Sequence, residues 1–265
     1  MKNTIQLICK LARNDFKQKF AGSFLGVIWA FVQPVVTVLV YWVVFEKALN
    51  VGAQGTKEGI SAPFVIWLCA GIVPWFYFSE VMNSGSNCLY DYSFLVKKVV
   101  FQIRTLPVVK VVSSLFVHLF FVIFTIVLLL CYGYKPSLYW LQIFYYLLAM
   151  MVLTVGFIYI TSALAVFFRD ILQIVNIILS VGIWATPIMW NFDALSATMP
   201  NWLSILLRLN PMYYITSGYR NSLIYAKGFW EFPGLSLYYW IFTFVILFIG
   251  IKLFKKLQPQ FADVL

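Results

Sequence analysis

Long apolar runs alternate with short polar breaks along this chain, and six of them approach the roughly 20 residues that an α-helix needs to cross the hydrocarbon of a bilayer. They cover residues 24–45, 63–79, 111–134, 138–168, 171–190 and 235–251. The pattern predicts an all-α polytopic membrane protein with six transmembrane helices, the fourth long enough to tilt or to project beyond the bilayer. One place in it needs explaining. Between Leu138 and Trp190 the only residues charged at neutral pH are Arg169 and Asp170, side by side. Buried in lipid, the pair would cost several kcal/mol, so it is expected at a turn between spans four and five, where water or headgroups solvate both charges.

Three stretches outside the spans are informative. In residues 3–20, Ile5, Ile8, Cys9, Ala12, Phe16 and Phe20 share one helical face beside Gln6, Lys10, Arg13 and Lys17. Residues 1–22 are therefore expected to form an amphipathic helix lying on the inner leaflet. Residues 83–106 combine Leu89, Tyr90, Tyr92, Phe94 and Leu95 with Asp91, Lys97, Lys98 and Arg104. That mixture is too apolar for a linker and suits a partner's groove, with charges to set the register. Residues 191–233 hold apolar runs too short to span, interrupted by Asn210-Pro211 and Gly218. They read either as extracellular re-entrant half-helices lining a pathway or as surface helices of an ordinary loop.

Composition sharpens the orientation. Only 11% of the residues are charged and 63% are apolar or aromatic, whereas about a quarter of a soluble domain is charged. Thirteen of the 19 lysines and arginines, Lys10, Arg13, Lys97, Lys98, Arg104, Arg169 and Lys255 among them, fall at one set of span ends. The other set holds Lys47, Lys57, Lys135, Arg208, Arg220 and Lys227. The positive-inside rule then predicts a multi-pass protein of the cytoplasmic membrane with both termini cytoplasmic. Residues 1–20 lack the continuous apolar core of a signal peptide, so the N-terminus is expected to be retained. The net charge of +10 is read as topology and contact with membrane lipids, not nucleic acid.

Chemistry-bearing residues are sparse. Cys9, Cys69, Cys88 and Cys131 lie far apart and His118 is the sole histidine, so neither a disulfide framework nor a metal site is expected. Nine scattered carboxylates form no acid–base pair, which argues against an integral membrane glycan transferase and leaves no catalytic residue to assign. Glu80 and His118 are not joined by a chain of titratable groups; a local basic partner for Glu80 and a bond to another helix for His118 are preferred to a proton relay.

Polar residues inside the spans fall on faces. In the first span Gly22, Gly26, Ala30, Gln33, Thr37 and Tyr41 share one face with Trp29 alongside, and in the fifth Gln173, Asn176, Ser180, Trp184 and Pro187 do the same. Polar groups recurring along a span are costly against lipid, so these faces look either at another helix or into a conduit. Trp29, Trp184 and Trp190 could stack on sugar rings or simply fill a core. No G-x-x-x-x-G-K-[ST] phosphate cradle occurs, so work must come from a partner or a gradient.

Several short motifs then stand in order: Gly26-Val27-Ile28-Trp29-Ala30-Phe31-Val32-Gln33-Pro34, Phe94-Leu95-Val96-Lys97-Lys98, Phe168-Arg169-Asp170-Ile171, Trp184-Ala185-Thr186-Pro187-Ile188, and Asn210-Pro211 followed by Tyr219-Arg220. Together they resemble the membrane (permease) subunit of the ABC exporters for O-antigen, capsular polysaccharide and teichoic acid, over nearly the whole chain. A departure is Gln102, where relatives often carry proline. The resemblance implies one permease domain over residues 1–265, a homodimer, and two copies of a separate ATPase carrying ATP and magnesium, with no cofactor on this chain. It implies that Tyr90, Asp91, Tyr92, Phe94, Leu95, Lys97 and Lys98 couple to that ATPase. It further implies that Trp29, Gln33, Thr37, Tyr41, Gln173, Asn176, Ser180, Trp184 and Trp190 line a conduit for a lipid-linked glycan. An exporter of drugs or simple lipids with the same architecture, or a gradient-driven flippase, would be the rival transporters.

Overall fold

A computed structural model of the chain describes residues 2–19, 24, 26–55, 61–97, 102–196 and 198–265. Among the described residues five helices are long and apolar enough to cross a membrane. The first, Gly26–Ala48, consists of a 3-10 turn, the α-helix α2 (Trp29–Trp42) and a closing π-turn. The others are α3 (Phe64–Ser86), α6 (Thr105–Cys131), α7 (Gln142–Phe167) with its leading turn Leu138–Leu141, and α12 (Pro233–Leu257). Helix α8 (Asp170–Ala185) is apolar but has 16 residues, roughly 24 Å at 1.5 Å per residue, short of a ~30 Å hydrocarbon core. The expected fifth span ran on to Trp190. The helix instead stops at Ala185, because Thr186 precedes Pro187 and takes an extended conformation (φ −94°, ψ 132°).

Short elements gather at the two ends of the bundle. At the end holding both chain termini lie α1 (Lys2–Lys19), α4 (Cys88–Asp91), α5 (Ser93–Val96) and α13 (Phe261–Val264). The far end carries α9 (Phe192–Leu195), α10 (Asn201–Arg208) and α11 (Pro211–Arg220). It also carries an antiparallel hairpin of β1 (Gln54–Gly55) and β2 (Ser61–Ala62), which the all-α expectation lacked. Helix α3 continues to Ser86 and α6 starts at Thr105, so the interval expected at 83–106 shrinks from both sides. Arg169 and Asp170 sit exposed where α7 gives way to α8, with Asp170 in the first turn of α8, the end where a carboxylate meets free N–H groups.

Helix α3 is the hub. It packs against α2, α6, α7, α8 and α11, and most of its side chains are buried, as befits a helix apolar on every side. Helices α7 and α12 cross at their glycines: a Cβ added to Gly250 would stand 2.5 Å from the Gly156 carbonyl oxygen, the backbone approach that small residues permit between membrane helices. The two helices α2 and α8 stay one-sided. Only Ala30 and Val38 of α2 and Val175 and Leu179 of α8 are buried.

Candidate functional site

At the terminal end, one lysine ties three elements together. Lys110 of α6 is buried, and its Nζ lies 2.7 Å from Asp15 Oδ1 on α1 and 2.8 Å from Asp91 Oδ2 on α4. The Tyr92 hydroxyl donates to Asp15 at 2.6 Å, and Asn87 Nδ2 donates to Asp91 at 2.7 Å. Burial first, and the Asp15 carboxylate second, hold the Tyr92 phenol above the usual tyrosine range. Behind this network Cys88, Leu89, Tyr92 and Val96 pack on Phe254 of α12 and Phe261 of α13.

This geometry sorts the residues expected to meet an ATPase. Tyr90 donates to the Ala165 carbonyl at 2.9 Å and lies under the Arg169 guanidinium; with Asp91 and Tyr92 it anchors the segment. Leu95 is half-buried, whereas Phe94 (59% exposed) and Lys97 face outward. Lys98 lies outside the described residues, as do Phe20 and Gly22. Of the apolar face expected on α1, Ala12 is buried and Ile8 and Phe16 are half-buried, with Phe16 beside Phe116 of α6; Ile5 and Cys9 are exposed. Sequence reading had treated Lys110 only as a topology marker. Its position inside an otherwise apolar helix start was the signal that it needed acidic partners.

The two polar faces do not meet. Trp29, Gln33 and Thr37 line a cavity of about 330 Å³ together with Tyr77, Glu80 and Asn83 of α3 and Ser114 and His118 of α6. Tyr41 is half-buried against the core. On α8, by contrast, Gln173, Asn176, Ser180 and Trp184 form an exposed stripe. The hydroxyls of Thr37 and Ser180 return to the carbonyls of Gln33 (2.9 Å) and Asn176 (2.8 Å) in their own helices. The side-chain amides of Gln33, Gln173 and Asn176 make no hydrogen bond among the described residues. Trp190, expected among the conduit residues, lies beyond the end of α8, donating Nε1 to the Trp184 carbonyl at 2.9 Å.

Glu80 and His118 border the same cavity but have separate partners. Glu80 is ion-paired to Lys19 of α1. His118 Nε2 is 2.9 Å from the Tyr219 hydroxyl of α11, so α11 reaches the midpoint of α6.

At the far end, Asn210 caps α11 by accepting from Met212 N at 3.0 Å and donates to Thr186 Oγ1 at 2.8 Å, joining the start of α11 to the end of α8. Arg220, at the other end of α11, is buried with its guanidinium carbon 3.4 Å from the Trp67 ring centroid. It donates to the carbonyls of Trp67 (3.3 Å), Pro187 (2.5 Å) and Ile188 (2.7 Å). Gly71 makes the room: any Cβ there would collide with Arg220 Nη2. In the sequence Arg220 stands among the basic residues at the far set of span ends and in the Tyr219-Arg220 motif, and neither marks it as buried.

Known proteins resemble this chain throughout. It is 26% identical over 257 residues to an O-antigen export system permease protein RfbA of Myxococcus xanthus, covering 97% of this chain and 94% of that protein. It is 25% identical over 263 residues to an RfbA of Klebsiella pneumoniae, covering 98% and 95%. A putative transport permease ycf38 of Porphyra purpurea is 26% identical over 201 residues, covering 72% of this chain and 66% of its own length. Residues 6–224, from within α1 to the turn after α11, match the family described as ABC-2 type transporter. A multi-pass helical bundle with that match over most of its length belongs to the ABC-2 type transporter family.

Proposed function

We propose that this chain is the membrane half of an ATP-driven exporter that moves a lipid-linked cell-envelope polysaccharide, or a teichoic-acid-like polymer, outward across the cytoplasmic membrane. Membership of the family implies an ABC ATPase as partner. In the proposed assembly two copies of this chain pair, each with an ATPase subunit at the terminal end, and both termini are cytoplasmic as the basic residues suggest. Helix α8 is the short fifth of six spans, and α10 and α11 are re-entrant half-helices at the outer mouth. The hydrogen bond from Tyr219 to the middle of α6 and the exposed apolar face of α10 (Trp202, Ile205, Leu206) support that placement. The cargo is proposed from relatives named for O-antigen export that align over nearly the entire chain.

The observation that carries the reading is the α8 stripe. Gln173 and Asn176 present amides, and Trp184 a largely exposed ring, on a membrane helix with no partner for them among the described residues. Lipid would leave those amides unsatisfied at a cost of about 1–3 kcal/mol each. A wet conduit between two copies satisfies them and offers weak, repeated contacts to a sliding sugar chain. ATP-driven closure of the partner dimer then shifts the balance between two arrangements of the helices through contacts at Phe94 and Lys97.

The test is export itself. Asn176→Leu combined with Ser180→Phe makes the stripe apolar and narrower without touching the terminal end. Surface glycan should fall and polymer accumulate inside, while the ATPase still co-purifies. Surface glycan at the parental level in that double variant would remove α8 from the conduit.

A further inference from the structure

The far end contains a second cavity of about 330 Å³, bounded by α11 and the loops around it and apart from the polar faces of α2 and α8. Among the described residues its lining includes Arg208, Arg220, Lys227 and the carboxylate of Asp193. Arg220 is buried, and among the described residues no carboxylate lies within ion-pair distance of it. A guanidinium has five N–H donors; three are spent on the carbonyls of Trp67, Pro187 and Ile188, which leaves one on each Nη. Carbonyl dipoles and the Trp67 ring offset a buried cation only in part, and a counter-charge in the cavity would complete the compensation. Tyr213 and Ser217 add hydroxyl groups to the same lining.

We propose that this cavity binds a phosphate ester. Arginine's planar fork matches phosphate oxygens in pairs, and two arginines meeting at one small space are the donors such an anion selects. The volume is at the low end for ligand pockets, so it admits one phosphorylated unit at a time. The phosphate has two possible sources, a phosphodiester in a polymer or the headgroup of an anionic phospholipid. The inference does not depend on the conduit or on the cargo; it stands on two arginines, one of them buried, that line one cavity.

The experiment uses the purified full chain in nanodiscs of phosphatidylcholine, titrated with glycerol 3-phosphate and, separately, with glycerol, following the thermal unfolding midpoint. Glycerol 3-phosphate should raise the midpoint saturably and glycerol should not. Arg208 is exposed, so Arg208→Gln should fold normally and weaken the titration roughly tenfold, the size of one lost charge-assisted contact. Lys227→Gln provides the same comparison at the remaining lining cation. Nanodiscs containing phosphatidylglycerol assign the source: a titration abolished by that lipid identifies the headgroup as the occupant, and one that survives identifies a soluble or polymer phosphate. Equal shifts with glycerol and glycerol 3-phosphate, or undiminished affinity in both variants, would overturn the proposal.

Discussion

Each end of the bundle buries a cation, and the two are held in different ways. Lys110 lies between carboxylates contributed by α1 and by α4, two elements outside the bundle proper. Arg220 is gripped by three backbone carbonyls, one in the first turn of α3 and two in the turn after α8. Ion pairs tolerate changes of distance and angle, and Asp91, with its side chain 37% exposed, can exchange its partner for water. Carbonyl hydrogen bonds are directional and fail within a fraction of an ångström. The terminal end is therefore built so that α1 and the α4–α5 segment can shift while remaining attached, and the far end is built to fix α11 against α3 and α8.

The largest expected effect lies at the rigid end. Gly71→Val places a branched side chain where Arg220 Nη2 now sits. The guanidinium must leave its carbonyls while still enclosed, at a cost of about 3–5 kcal/mol, the range for a buried charge that loses its partners. Thermal unfolding of the detergent-solubilised protein should show a large drop in midpoint or no folded protein. An unchanged midpoint would mean that the Arg220 contacts do not hold the far end together. Arg220→Lys keeps the charge without the fork and should fall between the two.

Lys110→Met should act more gently and at the other end. It leaves Asp15 with a side chain 12% exposed and Asp91 partly in water, so about 2 kcal/mol is expected, below the range for a fully enclosed pair. Hydrogen exchange locates the loss: amides of α1 should lose protection while those of α11 keep theirs. Equal loss at both ends would show that the bundle unfolds as one unit and that the proposed difference between its ends has no energetic reality.

The sequence made these ends unequally legible. Apolar runs located the long helices because burial and lipid both demand them, and the Arg169-Asp170 pair marked the break between α7 and α8. The end of α8 was written in Thr186-Pro187, but the apolar residues Ile188, Met189 and Trp190 extended the run past it. Helical spacing identified polar faces on α2 and α8. It could not say what each face meets, and α2 turned its face toward α3 and α6. The burial of Arg220 was not legible because it depends on Gly71, remote in sequence, and on carbonyls that only a terminated helix exposes. The hairpin of β1 and β2 has two residues per strand, too few to show alternation.

The smallest effect isolates a single hydrogen bond in the network around Lys110. Tyr92→Phe keeps the ring packed with Leu89 and Val96 and under Lys110 Nζ, and removes only the donor to Asp15. A hydrogen bond to a charged acceptor is worth about 1.5–3 kcal/mol, reduced here because Asp15 keeps Lys110. About 1 kcal/mol should remain, raising exchange of the α1 amides roughly fivefold. Alkaline pH gives an independent check. The folded state holds the Tyr92 phenol above its ordinary value near 10, so this residue's contribution is complete below pH ~10 and declines as pH rises through the folded-state value. The parent protein should therefore lose α1 protection with rising pH above ~10 more steeply than Tyr92→Phe, and parallel profiles would show that the phenol does not hold α1 in place.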